Sequence, residues 1–270
     1  MRKGAILFLL LATACVPEKN NSQAPEQKAS AAAAPLVEPT AAATIAPLAR
    51  KTQEQTALFE FEYSYPAEAA AIPSLVAELE ADLAKQRREI ATAAREGRAA
   101  AKEGGFPFNP YNHLVSWSVV TDLPGWLSLT ATANEFTGGA HPNHWSQALL
   151  WDKVADQSRV ATDLFVSRAA LAKAIRDPFC KALNRERAQR RGEPVLPDSD
   201  DPFDQCIDPT ASTVILGSSN QQQFDRIGVL IAPYEAGPYV EGDYEITLPV
   251  TKAVLAAVKP QYRSVFALGR

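Results

Sequence analysis

"LFEFEYSYPAEAAAIPSLVAELEADL", residues 58–83, places a strand directly before a helix. Phe59, Phe61, Tyr63 and Tyr65 alternate with Glu60, Glu62 and Ser64, the period of two expected of a strand with one buried face. Beyond Pro66 the period changes. Pro73 suits the first helical position, where its missing N–H costs nothing, and Ile72, Leu75, Val76, Leu79, Leu83 and Ile90 form one stripe at helical spacing. Gly104-Gly105 supplies the stop. The second half of this helix, "KQRREIATAAREGRAAAKE", is mostly charge and alanine and reads as a solvated extension.

Three more alternating runs follow. Val115, Trp117 and Val119 share a face in the first, Leu127, Leu129, Ala131 and Ala133 in the second, and Trp145, Leu149 and Trp151 in the third. Pro124-Gly125 turns the chain between the first two. "TGGAHPN", residues 137–143, turns it again, with Gly138 and Gly139 supplying positive φ and His141 and Asn143 completing the corner. The expected class is α+β: an antiparallel meander with one wet face, packed against the long helix. A smaller strand–helix half follows. In it Ser167 is a helix N-cap, Asp177-Pro178 restarts the helix and Gly192 ends it. The basic "KALNRERAQRRG" leads into an acidic, Pro-rich excursion, "EPVLPDSDDPFDQCIDP", which reads as a solvated surface insertion set against opposite charge. Then "RIGVLIAPYEAGPYVEGDYEITLPVTKAVLAAV" gives a strand, a stiff loop, a strand alternating at Tyr244, Ile246 and Leu248, and a short helix.

The N-terminus speaks to compartment. "MRKGAILFLLLATAC", residues 1–15, joins a positive start to a short apolar run and a small residue before Cys15. The run is too short to span a bilayer and has the form of a lipobox, similar to those of bacterial lipoproteins. An ordinary cleaved signal peptide is the alternative. Lipidation at Cys15 would place the protein in the bacterial cell envelope. Val16 rather than Asp after the cysteine fits the outer membrane, facing the periplasm, if the organism is Gram-negative. Residues 16–56, rich in Ala, Pro, Gln and Glu, read as a disordered tether. A single domain is expected over 57–270, with halves at about 57–137 and 138–258. Two further cysteines, Cys180 and Cys206, suggest a disulfide in an exported chain, with two free thiols as the alternative. The formal net charge of −4 argues against nucleic acid and is compatible with a basic protein partner.

His141 and His144 stand at HxxH spacing, yet Pro142 between them disfavours a helix and His113 is the only other histidine, so no metal site is expected. No nucleophile elbow or phosphate loop occurs, so neither catalytic residues nor a cofactor are assigned. His144 reads as incidental and His141 as a turn residue bonded to local backbone. Candidate ligand-binding residues are Tyr234, Glu235, Tyr239 and Glu241 in "APYEAGPYVEG", residues 232–242, although both tyrosines could simply cap the sheet end.

"GGAHPN" followed by an aromatic strand and "TDLF", and later "IAPYEAGPYVEGDYEITLP", resembles the extracellular domain of RsiV-type anti-sigma factors. The same paired module accompanies the deacetylase PdaC as a non-catalytic part, and "IPSLVAELEADL" fits its N-terminal half. The resemblance covers roughly residues 57–258, with 180–210 looking inserted. It implies a binding role, since RsiV-type domains bind lysozyme. A transmembrane helix, a sigma-binding segment and a deacetylase domain are all missing from the pattern. The expectation is therefore a lipid-anchored envelope module that binds a lysozyme-like muramidase. Peptidoglycan or glycan binding is the alternative, and a cell-wall enzyme with an unrecognised site a further one.

Overall fold

A computed structural model describes residues 48–196 and 199–270. The targeting segment, Cys15 and most of the expected tether lie outside the described residues.

The first layer is a six-stranded sheet with a helix on one face. Its strands are β1 (Arg50–Gln55), β2 (Phe59–Tyr65), β3 (Tyr111–Leu123), β4 (Trp126–Phe136), β5 (Asn143–Asp152) and β6 (Gln157–Arg159), in the spatial order of the sequence. A single turn, α1 (Ala67–Ala70), and the long α2 (Pro73–Gly104) separate β2 from β3. The α+β class holds, but the sheet is not a pure meander. β2 and β3 run parallel, Phe59 opposite Tyr111, because α2 carries the chain back across the sheet before it re-enters. The other pairings are antiparallel.

Between α2 and the sheet lie Phe61, Tyr63, Leu75, Leu79, Leu127 and Leu129, all nearly or completely buried. The second half of α2 is not a solvated extension. Ile90, Ala91, Ala94 and Ala101 are buried, the alanines recurring at helical spacing on the sheet side while the charges face out. The expected tether also ends early, since 50–55 is strand. β1 carries polar side chains on both faces, so no apolar alternation announces it. Backbone pairing with β2 holds it, together with the Lys51–Glu62 pair (2.9 Å) and Arg87 on Glu54. Charged side chains on an edge strand also discourage a second chain from pairing there.

The second layer contains α3 (Arg168–Arg191), β7 (Thr213–Gly217), β8 (Arg226–Ile231), β9 (Tyr244–Pro249) and α4 (Lys252–Ala257). β7, β8 and β9 form an antiparallel sheet, and a second core joins them to α3, α4 and Leu123, Trp126 and Leu150 of the first layer. β5 pairs with β4 over ten positions, so the break between layers falls after β6 and not near residue 137. β7 has no counterpart in the sequence reading. The Ser167 hydroxyl caps α3 by accepting from Ala170 N, and Gly192 closes it. Pro178 does not restart the helix: it sits inside α3, which continues because Leu171, Ile175, Phe179 and Leu183 are buried on both sides of it. Cys180 of α3 is bonded to Cys206, Cα atoms 5.5 Å apart, tying the acidic excursion to the helix.

Candidate binding site

The loop 232–242 between β8 and β9 is held from beneath by the C-terminal turns of α3. Arg187, fully buried, donates through Nε to Ala236 O (2.9 Å) and through Nη1 to Asn184 Oδ1 (2.9 Å). It also reaches the carbonyls of Asp204 (3.2 Å) and Gln205 (3.1 Å). Burial and the neighbouring Arg191 charge push its guanidinium below the ordinary arginine value. Arg191 pairs with Asp204 and with Glu241 Oε1 (2.7 Å), and the Glu241 hydrogen bond raises it further. Arg190 lies over the Tyr244 ring, 3.9 Å from its centroid. The Tyr244 hydroxyl donates to Glu241, and burial followed by that carboxylate pushes its pKa up to about 12. Burial pulls Glu241 upward, but hydrogen bonds from Arg191 and Tyr244 outweigh it and leave the carboxyl below its usual range. A Cβ at Gly237 would collide with the Glu241 carboxylate as Arg191 and Tyr244 hold it.

Four residues were expected to face a ligand, and the structure treats them differently. Glu241 points inward to Arg191 and Tyr244. Glu235 is exposed but accepts from Ser212 Oγ (2.6 Å). Tyr234 is 55% exposed and holds a left-handed backbone, φ 71°, rare for a residue with a Cβ. Tyr239 is half-buried and stacks on His141, with centroids 3.8 Å apart and planes inclined by 22°.

The corner at residues 138–144 and this loop therefore meet. Gly138 (φ 93°) and Gly139 (φ 105°) make the turn, and His141 Nδ1 donates to Pro142 O (3.0 Å). That tautomer leaves Nε2 to accept from the Tyr234 hydroxyl at 3.2 Å. The one phenolic proton of Tyr239 goes to Pro142 O (2.8 Å), so His144 Nε2 is the donor to the Tyr239 oxygen (2.8 Å). Asn143 opens β5 and is exposed. His144 is thus no incidental residue. It braces the loop, and its other nitrogen lies 3.8 Å from Asp243. No sequence signal links 144 to 239, since the contact is made only when the two layers close. Among the described residues no three His, Cys, Asp or Glu side chains are grouped to hold a metal ion.

A second polar centre lies under α2. His113, buried, meets Glu135 Oε2 through Nδ1 (2.8 Å) and Gln86 Oε1 through Nε2 (2.6 Å). Gln86 Nε2 donates to Asp82 (2.6 Å), which also accepts from Tyr63 OH (2.8 Å), itself the acceptor for Trp117 Nε1 (2.8 Å). Burial and then the Asp82 charge raise the Tyr63 hydroxyl far above the ordinary tyrosine value. Sequence reading missed this network because its members are scattered over β2, α2, β3 and β4.

Residues 52–144 match a family model described as deacetylase PdaC. That span covers the first layer from β1 to the start of β5. No curated protein matches the chain. Among solved structures, a DUF3298 family protein from Pseudomonas aeruginosa is similar, with 18% identity and a TM-score of 0.48, covering 83% of this chain and 98% of that one. A DUF3298 family member from Bacteroides fragilis shows 14% identity and a TM-score of 0.45, covering 75% and 89%.

Proposed function

We propose that this chain, with its PdaC-type segment at 52–144, is a non-enzymatic binding module of the bacterial cell envelope, anchored by lipid on Cys15. Its partner in this reading is a basic, lysozyme-like muramidase, engaged by the loop 232–243 and the 138–144 corner. The observation that carries it is Tyr234: exposed, yet fixed in a left-handed conformation and hydrogen-bonded to His141. An aromatic side chain whose geometry is set before binding loses little freedom on contact, the usual condition of an interface anchor. Val240, on the same loop, is 90% exposed, and exposed Glu235 and Asp243 favour a positively charged partner.

Calorimetry of the lipid-free Cys15→Ser chain with lysozyme tests this. Saturable binding is expected, weaker at high salt. Tyr234→Ala should cost about 2 kcal/mol, or more than tenfold in affinity. If the chain ignores lysozyme at low salt but sediments with purified peptidoglycan, the glycan reading replaces this one. In cells, Cys15→Ser should also abolish incorporation of labelled palmitate, and unchanged labelling would remove the anchor from the proposal.

A further inference from the structure

A groove of about 720 Å³ separates the outer face of the first sheet from the second layer, within the range of small-molecule sites. Its floor is Thr130, Thr132 and Ser146, with Val120 at one side. Cross-strand register explains the chemistry of that floor. Ser116, Thr132 and Ser146 stand side by side across β3, β4 and β5, Ser118 lies beside Thr130, and Asn134 lies beside His144. Because side chains alternate along a strand, these positions share the face opposite α2.

From 114 to 120, 128 to 134 and 144 to 148, that face carries no Lys, Arg, Asp or Glu. The neighbouring strands of the same sheet differ, offering Lys51, Glu60 and Glu62. A wet face needs only solubility, which long charged side chains supply. Apart from Leu114, Val120 and Ala148, the face instead carries short hydroxyls with Asn134 and His144, donors and acceptors at a fixed height, and β7 reaches its edge where the Thr213 hydroxyl donates to Ser146 O. Above it stand two kinds of wall. Ile215 and Leu230 are apolar, whereas Arg190, Asp243 and Glu245 offer one donor group and two acceptor groups. At one end the His144–Asp243 contact joins the groove to the Tyr239–His141 stack.

We propose that this groove binds a neutral saccharide of two or three pyranose units. A pyranose carries a ring of hydroxyls, each both donor and acceptor, and apolar C–H faces. The floor hydroxyls and the wall carboxylates and guanidinium match the first, and Val120, Ile215 and Leu230 match the second. Glu186, Asp243 and Glu245 against Arg190 leave the walls net negative, which disfavours an acidic sugar. The site is distinct from Tyr234 and does not depend on the protein-binding reading, because the sugar is presented to the chain alone.

The test is NMR titration of the isotope-labelled Cys15→Ser chain with cellotriose and chitotriose, and with trigalacturonate as the acidic control. One neutral trimer should give saturable shifts at residues 130–132 and 146, with a Kd of about 1 mM or tighter. Thr132→Lys fills the floor from an exposed position, and Glu245→Ala removes an exposed acceptor from a different strand. Each should weaken binding about tenfold. The proposal is overturned if neither neutral trimer binds, if the shifts fall elsewhere, if trigalacturonate binds as tightly, or if both groove variants bind like the parent.

Discussion

The two layers bury polar groups in opposite ways. Under α2, the chain from Trp117 through Tyr63, Asp82, Gln86 and His113 to Glu135 joins side chain to side chain within a core already closed by Phe61, Leu79 and Leu127. Under the 232–242 loop, Arg187 joins a helix to backbone carbonyls of two loops, beside the Arg191 ion pairs and the Cys180–Cys206 bond. In the first layer the apolar pattern builds the sheet and the polar network sits within it. In the second, the polar contact positions the loops. The lesson is where sensitivity lies: the candidate binding loop should depend on residues of α3 that touch no ligand.

The largest expected effect comes from the covalent part of that clamp. Cys180 and Cys206 are separated by 26 residues, and closing a loop of that length stabilises the fold by about 3–4 kcal/mol on a chain-entropy account. The Cys180→Ala/Cys206→Ala pair should lower the urea midpoint accordingly. Two freely alkylated thiols in protein isolated without reductant would instead show that the bond does not form in the native chain. Arg187→Met comes next. It keeps much of the side-chain volume but strands the buried carbonyl of Ala236 and takes the donor from those of Asp204 and Gln205, at a cost of about 2–3 kcal/mol. Hydrogen exchange should show the loss of protection concentrated in 204–206 and 232–242, with α2 unaffected. Loss spread evenly over both layers would contradict the comparison.

The same contrast explains what could be read beforehand. β2, the start of α2, and β3 to β5 announce themselves because half of each faces the core, leaving a period of two or 3.6 in the residues. β1 leaves no such mark, since Lys51, Gln53 and Glu62 stabilise it by pairing and charge. Thr213–Gly217 is too short a run for its period to be diagnostic. Arg187 stands in "RERAQRR", where nothing separates the buried arginine from its exposed neighbours, because its burial is created by loops that close over it. For the candidate site, the loop and its tyrosines were legible, and so was His141 as a corner residue. The inward turn of Glu241 and the bracing role of His144 were not. Both depend on partners about 50 or 95 residues away.

The smallest expected effect is the pH dependence of the clamp, and it tests whether Glu241 belongs to the scaffold. Its carboxyl titrates below the ordinary value of 4.5 in the folded chain. A depressed carboxylate binds its proton less readily when folded than when unfolded. Its contribution is therefore complete above the unfolded value and is lost as pH falls through the folded one. Asp204, also lowered, by Ser199 and then Arg191, acts in the same direction. Wild-type Tm should fall between pH 6 and pH 3, as for any acidic protein. In Glu241→Gln, Tm should start lower at pH 6 and fall less, the difference being a few degrees, or about 1 kcal/mol for a domain of this size. Tyr244 adds a second arm. Raised to about 12, its hydroxyl favours folding below the unfolded value of 10, and this is lost as pH rises through the folded one. Glu241→Gln should bring that loss to lower pH by removing the carboxylate that accepts the phenolic proton. If the variant follows wild type at both ends, Glu241 is not committed to Arg191 and Tyr244 in solution, and it returns to the set of residues free to meet a ligand.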